Sequence, residues 1–506
     1  MVRHGRKMCI SLVFLFVFSL AVCMPSTSLV SADEEIITLN CYYPNQIVKN
    51  FDLIMEEVNK ITVEKIGARV NIHLIDMATY PQKINMMIAS GEPFDVCMSS
   101  YLMDFGFYKN AADGAYLRLN ELIDEYAPVS KSRVPEGAWQ AATVNGNIYG
   151  VINYQVWGLS QQLGIIMRQD FVDKYDFDWT TMEGWDDLTP YLAAVKEGEP
   201  GIIPFAYSTN QDNFAGFPLY YAMDCVGDVR MPGWIRIDDE SAQVFNQYES
   251  EEYAAYLRTF RDWYVNGYIA RDAAVHSTTT GSNYASLGGY STLPDSLELP
   301  EIIEQSLFGG DTVANIHEIT KAVTTPFIGA QKPAEAMVSI GANSRYPEKA
   351  MQWIELVNSD DDVWNLLVYG REGIDYDRLS DRQIEQHLDS YNFNWCEWTI
   401  GQSYGRTLWP SNINLETNDR KLGKIYDADK VAATSPITGF VFNPEPVKME
   451  IANCNIVMDE LLYALGSGSV DPDVYLPQFI SRLKDAGVDA IIAEKQAQID
   501  AWMLTR

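Results

Sequence analysis

The sequence predicts an α/β protein built as two lobes, and three observations carry that prediction. At 506 residues the chain is longer than one hydrophobic core usually supports. Residues Ile36 to Met98 read strand, helix, strand, helix, strand, the pattern of a parallel sheet covered on both faces. A second series of strand and helix signals then opens at Gly164. Hydrophobic content of 47% and charged content of 21% are those of a globular chain with a large core.

The N-terminus has its own logic. Arg3, Arg6 and Lys7 precede the 15-residue apolar run Met8 to Val22, short for a membrane span and suited to a signal peptide. Val30-Ser31-Ala32 places cleavage after Ala32. A competing reading takes Leu20-Ala21-Val22-Cys23 as a lipoprotein box anchored at Cys23, with Val22 where a small residue is usual. Residues 1–32 hold three basic and no acidic residues, so their removal takes the net charge from −32 to −35. That balance argues against nucleic acid, whose phosphates need Lys and Arg, and against broad binding to anionic lipid.

Ile36 to Tyr43 forms the first expected strand, closed by Pro44-Asn45. Phe51, Ile54, Val58 and Ile61 recur at helical spacing, and Gly67 ends that helix. Ala68 to Asp76 alternates as strand two. Tyr80 to Ser90 is a short helix with Ile84, Met87 and Ile88 on one face, and Phe94 to Met98 is strand three. Right-handed crossovers place the loops after these strands on one edge, where α/β proteins bind ligands. Tyr43 and Asn45 after strand one, and Ser99 and Tyr101 after strand three, are therefore site candidates.

Asn145-Gly146-Asn147 is a tight-turn signal, because Asn and Gly tolerate positive φ. The apolar strand Ile148 to Tyr154 behind it is expected to leave the first lobe as a hinge. Residues 148–154 would bend, and Tyr154 and Trp157 would face solute. Gly164 to Asp170 and Gly201 to Tyr207 are second-lobe strands, the latter followed by the polar loop Asn210–Asn213. Glu251 to Val265 carries an aromatic stripe that reads as core. Ser277 to Ser291, rich in Thr, Ser and Gly, reads as a flexible loop. Ile319 to Thr325 is expected to be the return crossing, followed by a strand at Ala336 to Ile340. Ser359 is expected to cap a helix whose first turn holds Asp360, Asp361 and Asp362. Helices then follow from Met449, Tyr475 and Val488. The resulting domain reading is a signal peptide at 1–32, a first lobe of 33–147 plus 320–375, and a second lobe of 148–319 plus 376–506 that includes the C-terminal helical extension.

Catalytic and metal signatures are missing from the sequence. Five cysteines remain after residue 32, scattered and without CxxC spacing, so neither a disulfide framework nor a zinc site is expected. There is no GxSxG, HExxH or P-loop. Acidic residues number 69, so no carboxylate pair stands out as a glycosidase dyad. The aromatic supply is more informative: 12 Trp and 29 Tyr offer flat faces on which sugar rings stack. Tyr43, Tyr101, Tyr154, Trp157, Tyr207, Trp234, Trp395 and Trp409 lie outside regular helices and complete the candidate list. Arg168, Arg371 and Arg406 are available to pair with an anionic sugar.

Several stretches in order resemble one family. Ala89-Ser-Gly-Glu-Pro-Phe-Asp95, Asn145-Gly-Asn-Ile-Tyr149, Arg168-Gln-Asp170 ahead of a Trp185 helix, and Arg345-Tyr-Pro-Glu-Lys-Ala350 resemble extracellular solute-binding proteins of ABC importers, in the sugar-type (family 1) branch. Tyr369-Gly-Arg-Glu-Gly-Ile-Asp-Tyr376 and the tail from Ser435-Pro-Ile-Thr-Gly-Phe440 through Ala493-Glu-Lys-Gln496 look like a subgroup with an extended C-terminal region linked to oligosaccharide or aldouronate uptake. The resemblance implies a periplasmic-binding-protein-like fold, two βα lobes joined by hinge strands around a ligand cleft. It implies capture of a carbohydrate by lobe closure and delivery to a membrane permease, by an exported monomer with no catalytic residue, no metal and no cofactor. A secreted carbohydrate-active enzyme and a non-transport sugar sensor or adhesion protein are the alternatives.

Overall fold

Apolar alternation in Ile37–Pro44 (β1) turns Leu39, Cys41 and Tyr43 inward, and the sheet grows around that strand. The structure, a computed structural model, describes residues 36–102, 105–207, 217–229, 231–275, 283–291, 297–298, 318–393 and 396–504. The expected signal segment with Cys23, the Asn210–Asn213 loop and Trp395 lie outside these residues.

Helix α1 (Phe51–Ile66) buries Ile54, Val58 and Ile66 and stops at Gly67, whose φ of 65° suits glycine. Then come β2 (Ala68–Ile75), α2 (Tyr80–Ser90), β3 (Val96–Ser99) and, after a helical stretch, β4 (Val151–Ile152). The chain next supplies β5 (Gln162–Arg168), β6 (Ile203–Ala206), α3 (Glu251–Val265), β7 (Tyr284–Ser291), β8 (Leu297–Glu298) and β9 (Glu318–Ala322). It continues through β10 (Phe327–Ile328), β11 (Met337–Ile340), α4 (Pro347–Ser359) and α5 (Asp361–Tyr369). A small sheet of β12 (Tyr376–Arg378), β13 (Gln383–Gln386) and β14 (Trp409–Pro410) precedes α6 (Leu415–Val431) and β15 (Ala433–Thr434). Helices α7 (Lys448–Gly466), α8 (Pro472–Asp485) and α9 (Val488–Met503) end the chain.

Two five-stranded sheets define two cores. The first has the order β2-β1-β3-β11-β4, parallel at β1 and antiparallel where β11 meets β3 and β4. The second has the order β8-β9-β5-β7-β6 around β5, all seven residues of which are buried. Helices α4 and α5 pack in the first core. The C-terminal helices pack in the second, against α3. Asn145 and Gly146 take φ of 48° and 75°, the paired positive values of the expected tight turn, between short strands at Thr143–Val144 and Asn147–Ile148.

Five expectations are corrected here. The strand after the turn stays in the first sheet: Val151 and Ile152 pair with Val338 and Met337, so residues 148–154 are core and the crossing begins after them. Ile319 does not return the chain to the first lobe, because Glu318–Ala322 pairs with β5 and extends the second sheet. Tyr284–Ser291 is a strand despite its Gly and Ser content, since its backbone pairs with β5 on one side and β6 on the other. Asp360, not Ser359, caps α5, its carboxylate accepting the N–H groups of Asp362 and Val363 at 3.0 Å. The segment from 376 to 400 also lies with the first core rather than the second. Arg371 and Ser390 both hydrogen-bond Asp375, which ties this insertion to the end of α5. Tyr391, Phe393 and Ile400 are buried beside Trp364.

Candidate functional site

Chain passes between the two cores three times, and the passes pair with one another. Gln161 and Phe327 exchange N–H···O bonds of 2.8 and 3.0 Å. Phe327 and Ile328 pair in parallel with Ala433 and Thr434. The three passes, through 155–161, 323–336 and 432–436, thus form a narrow ribbon linking the cores.

Two buried carboxylates fix that ribbon. Asp429, at the end of α6, accepts the Tyr154 hydroxyl at 2.7 Å, Leu159 N–H at 2.8 Å and Ser160 N–H at 2.7 Å. Gly158 makes this approach feasible: its φ is 74°, and a Cβ there would stand 2.5 Å from Ile425 Cγ2. Asp224, in the second core, accepts Ala330 N–H at 2.8 Å and Cys225 N–H at 3.0 Å. Burial raises its carboxyl above the usual range.

A cavity of about 350 Å³ opens at this joint. Trp157 and Leu159 from the first pass, Lys332 and Glu335 from the second, and Trp398 form much of its wall. Gln155, also on the wall, is held by Gly401 O at 2.8 Å and by the Ser403 hydroxyl at 2.5 Å. Tyr101 sits beside it, donating its N–H to Ala334 O at 3.1 Å. Burial raises the Tyr101 phenol, and the carboxyls of Glu335 and Asp224 add to the effect. Flat aromatic faces with a few fixed polar groups are the usual make-up of a small-molecule site. A larger depression of about 930 Å³ lies elsewhere, at the start of α3, where Arg236 is already paired with Glu252 at 2.6 Å. It is an open, charged face away from the joint.

Of the sequence candidates, Trp157 lines the hollow at the joint, Tyr101 is tied through its backbone to Ala334 of the second pass, and Trp409 lines a separate cavity in the first core. Six others are framework. Tyr43 accepts Trp353 Nε1–H at 3.2 Å, Asn45 Nδ2 donates to Phe393 O at 3.1 Å, and Ser99 shares a 2.7 Å bond with Ser339. Tyr154 is stacked on Tyr404 at 4.7 Å and bonded to Asp429. Tyr207 and Trp234 are inside the second core. Strand ends here point their aromatics into the protein rather than out of it. Arg168, Arg371 and Arg406 are each paired within the protein, with Asp170, Asp375 and Asp361. Trp398, Gln155 and Lys332 were not anticipated; Trp398 had a signal, standing three residues from Trp395. Among the described residues no cluster of His, Cys, Asp and Glu could hold a metal ion, and the five cysteines are free thiols.

Two βα cores, three paired passes and a hollow at the joint make the frame of a two-lobed binding protein. The residue pattern of the bacterial extracellular solute-binding proteins matches residues 52–364, and the chain belongs to that family. A domain of unknown function matches residues 436–504, which cover the C-terminal helices. A carbohydrate ABC transporter substrate-binding protein of Streptococcus pneumoniae is 27% identical over 484 residues, covering 94% of this chain and 92% of its own. The crystal structure of the N-glycan transport solute binding protein NgtS of Streptococcus pneumoniae superposes with a TM-score of 0.73 at 24% identity, over 92% of this chain and 98% of that one. The same protein in complex with Man5GlcNAc gives 0.58 at 25% identity, over 93% and 99%.

Proposed function

We propose that this chain captures a carbohydrate, an oligosaccharide, outside the cell and passes it to the permease of an ABC importer. The hollow at the joint carries the reading: Trp157 and Trp398 offer flat faces for pyranose rings, and the Lys332–Glu335 ion pair gives the same wall a polar edge. The relatives bind ligands of this class, which supports it.

The mechanism is closure. A first lobe of 37–152 plus 337–431 and a second of 162–322 plus 436–504 turn about the ribbon. A ligand touching both gains contacts only in the closed state, so it shifts the population toward closure. The permease then reads the closed pair. Two TM-scores for one relative, 0.73 and 0.58, are what a change of lobe angle would give. Acting as a monomer, the protein would be exported by its N-terminal segment and held near the importer through Cys23, or released after Ala32.

Calorimetry against a panel of oligosaccharides tests the reading. Binding in the micromolar range or tighter, with Trp157→Ala weakening it about tenfold or more, is expected. Hydrolysis of the panel, or no binding of any member, refutes it.

A further inference from the structure

A second hollow, of about 430 Å³, lies within the first core between α5 and the β12–β14 insertion. Trp364, Phe393 and Trp409 give it aromatic walls, and Glu397 and Arg406 reach it. Two of its polar groups have no side-chain partner among the described residues. The indole N–H of Trp409 is buried without a partner among the described residues. The Glu397 carboxyl, raised by burial above its usual range, meets only its own backbone N–H among the described residues. Such groups cost free energy unless something enters to satisfy them. Arg406 is committed elsewhere: it bonds Gln402 O, Asp361 and Val357 O at 3.2, 3.1 and 2.7 Å and lies 4.0 Å over the Trp364 ring. Of these three groups, the two without a side-chain partner are one neutral donor and one carboxyl, a pair that suits an uncharged polyol and disfavours an anion.

Position adds the second argument. Val156 faces this hollow and Trp157 the one at the joint; Glu397 faces this hollow and Trp398 the one at the joint. Consecutive residues are 3.8 Å apart, so the two hollows lie on either side of one thin wall, residues 156–157 and 397–398. We infer that the second hollow is a saccharide subsite, taking one uncharged pyranose unit of an oligosaccharide whose other units lie against Trp157. Trp409 supplies a stacking face and a donor, and Glu397 accepts from a hydroxyl. The inference rests on the carbohydrate reading above.

The test is calorimetry on the full chain with linear and branched hexose oligosaccharides graded from disaccharide to heptasaccharide. Wild type is compared with Trp409→Ala, Glu397→Gln and Trp157→Ala, with Trp409→Phe to keep the packing while removing the N–H. The expected result is an affinity loss of about tenfold in Trp409→Ala and Glu397→Gln for the longest ligands, with the shortest ligand that binds unaffected. If both variants bind every length as wild type does, or lose all lengths equally, the subsite falls. If those variants are silent while Trp157→Ala abolishes binding, the subsite falls and the carbohydrate reading stands. If wild type binds no member, both fall.

Discussion

Replacing Asp429 with Ala removes one acceptor and strands three donors. The Tyr154 hydroxyl and the N–H groups of Leu159 and Ser160 all end on that carboxylate, at 2.7, 2.8 and 2.7 Å. Tyr154, Leu159 and Ser160 are buried, so water does not readily take its place. A buried donor left unsatisfied costs about 1–3 kcal/mol. Three of them, with partial relaxation, predict a loss of about 3–6 kcal/mol, well beyond the typical substitution. Asp429→Asn keeps the shape and one acceptor but turns an N–H₂ toward the remaining donors, so an intermediate loss is expected. The assay is urea unfolding followed by tryptophan fluorescence, with the shift in midpoint multiplied by the measured slope. Two cores give room for two transitions, and the one assigned to the first core is expected to move. A loss under about 1 kcal/mol for Asp429→Ala would refute the reasoning, since it would mean the three donors find other partners.

Two further outcomes follow from the same reading. Gly158→Ala forces a Cβ to within 2.5 Å of Ile425 Cγ2 and 2.9 Å of Asp429 Oδ2 in a left-handed backbone conformation, so it should destabilise by about 2 kcal/mol or more; combined with Asp429→Ala the two losses should be less than additive, and strict additivity would separate them. Lys495 is fully buried, its ammonium donating to Pro232 O at 2.7 Å and Gly233 O at 3.1 Å, and burial pushes it down to about 7 from 10.5. Between those values the unfolded chain binds more protons than the folded one, so this group makes stability rise with pH, by up to about 5 kcal/mol, and its full penalty is present below pH 7. The stability of Lys495→Met relative to wild type should therefore fall as pH is raised from about 6 to about 10; a difference flat across that range contradicts the buried charge.

Periodicity made the first sheet legible. The alternation in Ile37–Pro44 and the 3.6-residue spacing in Phe51–Ile66 depend on neighbours in sequence, and both elements lie where expected. Pairing between distant segments was not legible. Nothing local in Glu318–Ala322 distinguishes a strand that extends the second sheet from one that leaves it; β5, some 150 residues earlier, decides. The same holds for Gly288 and Gly289, which read as loop and become strand against β5. The candidate site divides in the same way. Trp157 stands out because it follows a strand and precedes a turn, whereas Tyr43 and Trp234 have similar local settings and are core. Asp429 and Glu397 could not be singled out among 69 acidic residues, because what sets them apart is burial and the groups that face them.

The first sheet carries a consequence for the order in which the chain acquires its shape. β11 is inserted between β3 and β4, yet it is made more than 180 residues after either. Until residue 340 is available, β3 and β4 lack their shared partner and β4 is cut off from the rest of the sheet. Loop closure over such distances makes folding slow. The first sheet of this chain therefore stays incomplete for most of its synthesis, so the lobe that opens the sequence closes after the strands of the second sheet have all been made.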